Sequence, residues 1–172
     1  MPGVVITTAV RTGPSADTVR DSSQAFFVGL ALRGPEEKAT LVTSIADFEA
    51  QYGGYQSYAY LHPTIETFFE EGGTQCYVVR VVGPSATEGK HKLLDSSSGD
   101  SMQLTAVGPG DWSANMTFTV EAGTVASSVI LKLLYYNVQV FTSGNCTTVD
   151  QVIGKINGSA VASKYVTASS LG

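Results

Sequence analysis

GGTQCYVVRVVG, from Gly72 to Gly83, is the stretch whose reading decides the fold. Five of the six residues from Tyr77 to Val82 are aromatic or β-branched, which predicts a strand buried on both faces. Upstream, Pro63 to Glu71 places Ile65, Phe68 and Phe69 on one stripe of a short helix, with Pro63 at its first position. The paired glycines Gly72 and Gly73 stop that helix, so the unit is helix, tight stop, strand. Arg80 is the one charge inside the strand and needs a partner or a route to water.

Moving toward the N-terminus, Ala25 to Leu32 is a second continuous apolar run, closed by the turn signal Arg33-Gly34-Pro35. Thr40 to Thr43 makes a short strand. Ser44 then reads as a helix N-cap with Asp47 as its capping-box partner, Ile45 and Phe48 facing the core and Gly53-Gly54 ending the helix. Strands and helices thus alternate through Gly83, the pattern of a small α/β layer rather than a sandwich. Further out, Gly3, Val4, Val5, Ile6, Thr7, Thr8, Ala9 and Val10 form a β-prone piece, set apart by the polar, turn-prone stretch from Arg11 to Gln24. Such a strand needs an edge to pair with, either in its own subunit or, as an arm, in another molecule's sheet.

Two surface features qualify as contact sites. Tyr52, Tyr55, Tyr58 and Tyr60 fall within nine residues among Gly, Ser and Gln. Tyrosine buries a large area at low entropic cost, so the cluster is either an interface or a set of rings packed over neighbouring helices. Glu66 and Glu70 lie four apart on one helix face, either as a solvated face or as partners for basic groups of a neighbouring subunit.

Downstream of Gly83 the composition changes. Pro84 to Asp100 is polar and reads as a linker or exposed loop. Strand-like pieces follow at Met102 to Val107, Met116 to Glu121, Ser128 to Leu134 and Asn137 to Phe141. Thr148 caps a short helix with Gln151 as box partner and Val149, Val152, Ile153 and Ile156 on one face, Asn157-Gly158 closes it, and a last strand lies near Tyr165 to Val166. The fold class is therefore α+β: a small α/β layer, with a mixed sheet and two short helices, plus a β-rich part with one short helix.

Composition narrows the function. The chain has 172 residues, 43% hydrophobic but only 15% charged, well below the quarter typical of soluble domains. A surface so poor in charge suits coverage by other protein. Ten basic against fifteen acidic residues, with no run of Lys or Arg, argue against nucleic acid. No apolar run reaches the length of a membrane span, so no membrane insertion is expected. Cys76 and Cys146 lie far apart in sequence without a metal-ligand neighbour, and His62 and His91 lack visible catalytic partners. Gly108-Pro109-Gly110 lacks the third glycine and the following Lys-Ser or Lys-Thr of a phosphate loop. The triplets at Asn115, Asn145 and Asn157 read as accidental glycosylation patterns. Nothing assembles a nucleophile, a base and an oxyanion site, so neither an enzyme nor a cofactor is expected.

Several pieces, in order along the chain, resemble contractile tail sheath proteins of bacteriophages and related bacterial particles. They are Pro2-Gly3-Val4, Phe27-Val28-Gly29, Arg33-Gly34-Pro35, Leu41-Val42-Thr43-Ser44 with Phe48, and Tyr52-Gly53-Gly54. Phe68-Phe69-Glu70-Glu71-Gly72-Gly73, Tyr77-Val78-Val79-Arg80-Val81, Gly110-Asp111-Trp112-Ser113-Ala114-Asn115 and the helix from Val149 to Asn157 complete the series. Ser113 and Ala114 stand where relatives commonly have one small residue. The resemblance implies residues 1–24 as arm and hinge, 25–85 as the core layer and 86–172 as a β-rich insertion domain, ending before the family's expected C-terminal domain. It further implies a helical homo-oligomer around a tail tube, with tube and baseplate as partners, in the virion tail after assembly in host cytoplasm. The rival class is a small ligand-binding or enzymatic α/β domain with the tyrosine-rich loop as pocket wall, which requires convergent polar groups near Tyr55 to His62.

Overall fold

The computed structural model describes residues 24–95 and 99–171. The segment Gly3 to Val10 and most of the Arg11 to Gln24 stretch lie outside the described residues. Strand β1 is Ala25–Gly29, β2 is Thr40–Val42 and β3 is Cys76–Arg80, and they form one sheet in the order β1-β3-β2. β1 lies parallel to β3 with Phe27 opposite Val78, whereas β2 is antiparallel with Thr40 opposite the same residue. A parallel pair needs a crossover connection. Here β2, helix α1 (Ile45–Tyr52) and helix α2 (Leu61–Glu70) supply it.

Helix α1 begins where its cap predicts. The Asp47 amide donates to Ser44 Oγ at 3.1 Å, and the Thr43 amide donates to Asp47 Oδ2 at 3.4 Å. Gly53 ends the helix at φ +85°, a conformation that disfavours side chains, and donates its amide to Glu49 O. Helix α2 starts at Leu61 rather than Pro63. The proline therefore sits within the first turn, where its missing N–H would have had no intrahelical acceptor anyway. Val42, Phe48, Tyr52, Leu61, Ile65, Cys76 and Val78 close the first core. Because both helices cover the same side, β3 is buried on one face only: Cys76, Val78 and Arg80 are buried while Tyr77 and Val79 are half-exposed. That corrects the two-faced burial expected from the apolar run.

The second core lies between two antiparallel sheets. One has the order β4-β5-β9, from Lys90–Leu94, Asp100–Ala106 and Val166–Ser170. The other has the order β6-β7-β8, from Met116–Ala122, Val129–Tyr135 and Val138–Thr142. β4 falls inside the stretch expected to be a linker. Its exposed Lys90, His91 and Lys92 hide the strand pattern, and charge along an edge discourages further pairing. Helix α3 (Val149–Asn157) packs on β9, capped as expected by Thr148 Oγ1, which accepts from the Gln151 amide at 3.3 Å. Asn157 then behaves like a strand residue: its Nδ2 donates to Ala168 O at 2.8 Å and its Oδ1 accepts from the Ala168 amide at 2.9 Å. Leu104, Leu131, Leu133, Cys146, Ile156 and Val166 are at the centre of this core. With three helices and nine strands in three small sheets among the described residues, the fold is α+β. No described helix is long and apolar enough to cross a membrane.

Candidate interaction surface

The strand alternation that buries one face of the first sheet leaves the other uncovered by the described residues. Phe26 and Val28 of β1 are 61% and 66% exposed, and Leu41 of β2 lies beside Tyr77 in the register. Phe26 stacks on Tyr77 with ring centroids 5.0 Å apart. Leu30 and Val81 extend the apolar strip past the strand ends, both exposed. Among the described residues the outward strand positions of this face, Phe26, Val28, Leu41, Tyr77 and Val79, carry no charge, and a parallel-paired sheet is ordinarily covered on both sides.

The tyrosine cluster divides. Tyr52 is fully buried, stacked on Phe48 at 5.2 Å, with its hydroxyl donating to Val78 O at 3.2 Å. It is a core residue, which corrects its assignment to an interface. Its position in the last turn of α1 turns it inward, and burial raises the phenol pKa. Tyr55, Tyr58 and Tyr60 are exposed, Tyr60 to 85%. Tyr58 and Tyr60 form one wall of a cleft of about 280 Å³ whose other wall is Phe27, Val28 and Leu30 of the first sheet and its extension. The tyrosines and the bare sheet face thus approach each other along β1.

Glu66 and Glu70 are both exposed on α2. Glu66 Oε2 is 3.9 Å from His62 Nδ1, and His62 Nε2 is 2.9 Å from Glu49 Oε1. His62 itself is buried, its ring edge-on to Phe48 at 5.8 Å and to Tyr55 at 6.2 Å. That histidine ties α1 to α2, and among the described residues no hydroxyl or thiol is bonded to it. His91 stacks on Phe118 at 5.8 Å and borders an open cleft of about 340 Å³ with Glu88, Asp111 and Ser113. Among the described residues no group of three or more His, Cys, Asp or Glu side chains is placed to hold a metal ion.

Two arginines matter more than the sequence shows. Arg80, flagged as a lone charge in an apolar strand, is buried and held by carbonyl oxygens: Nε donates to Ala31 O at 3.0 Å and Nη1 to Gly34 O at 3.0 Å. Its Nη2 donates to Pro109 O at 2.8 Å, across to the second core. Arg33, legible in sequence only as part of a turn, is equally buried and donates to Glu49 O at 3.1 Å and Gln51 O at 3.3 Å, at the C-terminal end of α1. A cation there is favoured by the helix dipole. Burial lowers the pKa of both guanidinium groups, yet both stay charged.

Solved structures share this fold, two sheath tail proteins among them. A sheath tail protein from Listeria innocua superposes with a TM-score of 0.57 at 12% identity, over 87% of this chain and 30% of its own. A sheath tail protein from Desulfitobacterium hafniense superposes with a TM-score of 0.56 at 14% identity, over 99% of this chain and 35% of its own. The chain spans about a third of the length of each. No protein-family model and no curated protein sequence matches it. The chain has a tail-sheath-like fold.

Proposed function

We propose that the chain is part of the structural subunit of a contractile tail sheath, polymerising helically around a tail tube and shortening to drive the tube through a cell envelope. The observation that carries the reading is the likeness of almost the whole described chain to two sheath tail proteins. The bare face of the first sheet supports it, since a subunit that lives in a polymer has other protein to cover such a face. On this reading identical subunits make heterologous contacts that propagate instead of closing. The residue 1–24 segment is arm and hinge, with Gly3 to Val10 pairing with a neighbour's sheet. Residues 25–85 are the core layer, residues 86–172 the insertion, and Tyr55, Tyr58, Tyr60, Glu66 and Glu70 belong to subunit contacts. Contraction draws its free energy from better-packed interfaces summed over many copies, without nucleotide. Baseplate and tube are the remaining partners, in a virion tail assembled in host cytoplasm.

The bacterial-particle version differs only in setting, and gene neighbourhood separates the two. The ligand-binding alternative has less support, because the cleft beside Tyr58 and Tyr60 is lined mainly by Phe27, Val28, Leu30, Ala59 and Leu61 rather than by converging polar groups. Deleting residues 1–20 from the assembling protein is expected to leave a folded, soluble subunit that forms no tubes under electron microscopy. Normal tubes from that deletion would overturn the arm.

A further inference from the structure

Among the described residues, the hydrogen bonds that Arg33 and Arg80 make between the two cores gather at one small joint. On the side of the first core stands the turn Arg33-Gly34-Pro35, and on the side of the second stands Gly108-Pro109-Gly110. The two backbones touch: a Cβ on Gly108, whose φ is +83°, would lie 2.1 Å from Gly34 O. Arg80 bridges them, one guanidinium reaching Ala31, Leu32 and Gly34 carbonyls on its own side and Pro109 O on the other. Arg33 also reaches from the first core to the second. Besides the end of α1, its Nη1 donates to Lys164 O at 3.4 Å, and its guanidinium lies 4.3 Å above the Tyr165 ring. Lys164 Nζ returns the contact to Asp47 Oδ1 at 3.7 Å.

We infer that Arg33 and Arg80 are positioning residues that lock the β-rich part onto the α/β layer, so that the two cores turn as one rigid body. The physical reason is the cost of letting go. Both cations are only 4% exposed and rely on carbonyl oxygens instead of a paired carboxylate. Parting the two cores removes the Lys164 and Pro109 carbonyl acceptors and the Tyr165 ring face from the two cations, and the loss of charge-assisted hydrogen bonds is costly. Arginine suits the task because its planar fork reaches several fixed acceptors at once and stacks on an aromatic face, which lysine cannot do. The chain connecting the cores is exposed over residues 83–88 and is held by two backbone bonds, the Ala86 amide donating to Gly83 O at 3.0 Å and the Gly110 amide to Thr87 O at 3.1 Å. The inference concerns the chain alone and does not depend on the assembly reading.

Spin labels on Glu70→Cys in α2 and Thr142→Cys at the end of β8 report the distance between the two parts. Both sites are exposed, while the native Cys76 and Cys146 are buried and escape labelling. The parent chain is expected to give one narrow distance distribution. Arg80→Met and Arg33→Met are expected to keep the circular dichroism of the parent, broaden the distribution at least twofold, and raise the rate of cleavage after Glu88 by a Glu-specific protease about tenfold. Arg80→Lys is expected to behave like Arg80→Met, since one ammonium cannot serve four carbonyls. A folded methionine variant with an unchanged, narrow distribution overturns the inference. Should either variant fail to fold, Gly108→Ala decides: it wedges the loops apart while keeping both arginines, and an unchanged distribution in that folded variant has the same force.

Discussion

The two cores solve the same problem by different means. The second is enclosed by two antiparallel sheets, with β6, β7 and β8 joined in succession and α3 laid against β9. Its central strands β5 and β7 bury Met102, Leu104, Leu131 and Leu133 between the two sheets. The first relies on a parallel pair, β1 and β3, brought together only after two helices have been laid down between them, and both helices fall on one side. Among the described residues it is a half-covered sheet. Antiparallel sheets tolerate a wet face because polar residues alternate outward, but Phe26, Val28, Tyr77 and Val79 do not alternate with anything polar on that side. The second part also exposes apolar side chains, among them Leu94, Val120 and Val138, so the difference lies in arrangement: in the first sheet the exposed apolar residues share one continuous strand face.

The largest test of that contrast is to open each core in turn. Phe48→Ala in the first and Leu133→Ala in the second each remove a side chain about 1% exposed, and each is expected to cost about 3–5 kcal/mol in urea unfolding. By hydrogen exchange, Phe48→Ala is expected to release the α1 and α2 amides while β6, β7 and β8 stay protected. If protection is lost in both parts at once, the cores are not separable and the contrast fails.

A smaller effect is expected at alkaline pH, on the side of the second core nearest the joint. The Tyr135 phenol is raised to about 12, chiefly by burial and then by the neighbouring Tyr136, with Arg33 acting in the opposite direction. A raised phenol pKa means that the fold favours the protonated ring. Its contribution is complete below pH 10, the ordinary value, and is lost as pH climbs toward about 12. Solvent screening of this half-buried ring limits the effect to about 1 kcal/mol. Tyr135→Phe should flatten that part of the alkaline unfolding curve, with phenolate absorbance following the titration. A slope unaltered by the substitution would remove Tyr135 as the cause.

The smallest stability change is expected where the interaction effect is greatest. Phe26→Ser on the bare face should shift unfolding by no more than about 0.5 kcal/mol, because the ring is mostly exposed already. It should nonetheless reduce binding of an apolar dye and any concentration-dependent association seen by analytical ultracentrifugation. A large stability loss with unchanged association would mean that the face is packed within the subunit and is not open.

Much of the fold was legible in local patterns. Ser44 and Thr148 announced their helices because a cap is a contact between residues three apart, and Gly53 marked a stop because a positive φ excludes most side chains. The strands β5 to β8 stood out by alternation. β4 did not, because an edge strand carrying Lys90, His91 and Lys92 looks like a solvated loop. Among the candidate contact residues, Tyr55, Tyr58 and Tyr60 are exposed as an interface requires, while Tyr52, equally tyrosine and equally close to glycine, belongs to the core.

The sequence by itself determined most element types, β4 excepted, the caps, the low charge content and the resemblance to sheath proteins, since each depends on residues near one another along the chain. Only the tertiary structure decided which side of an all-apolar strand is covered, for Phe26 and Phe27 are indistinguishable until α1 and α2 choose a face. It alone joined Arg33 to Lys164 and Arg80 to Pro109. Those bonds close over 131 and 29 residues, and no local pattern constrains which carbonyl a buried guanidinium will meet.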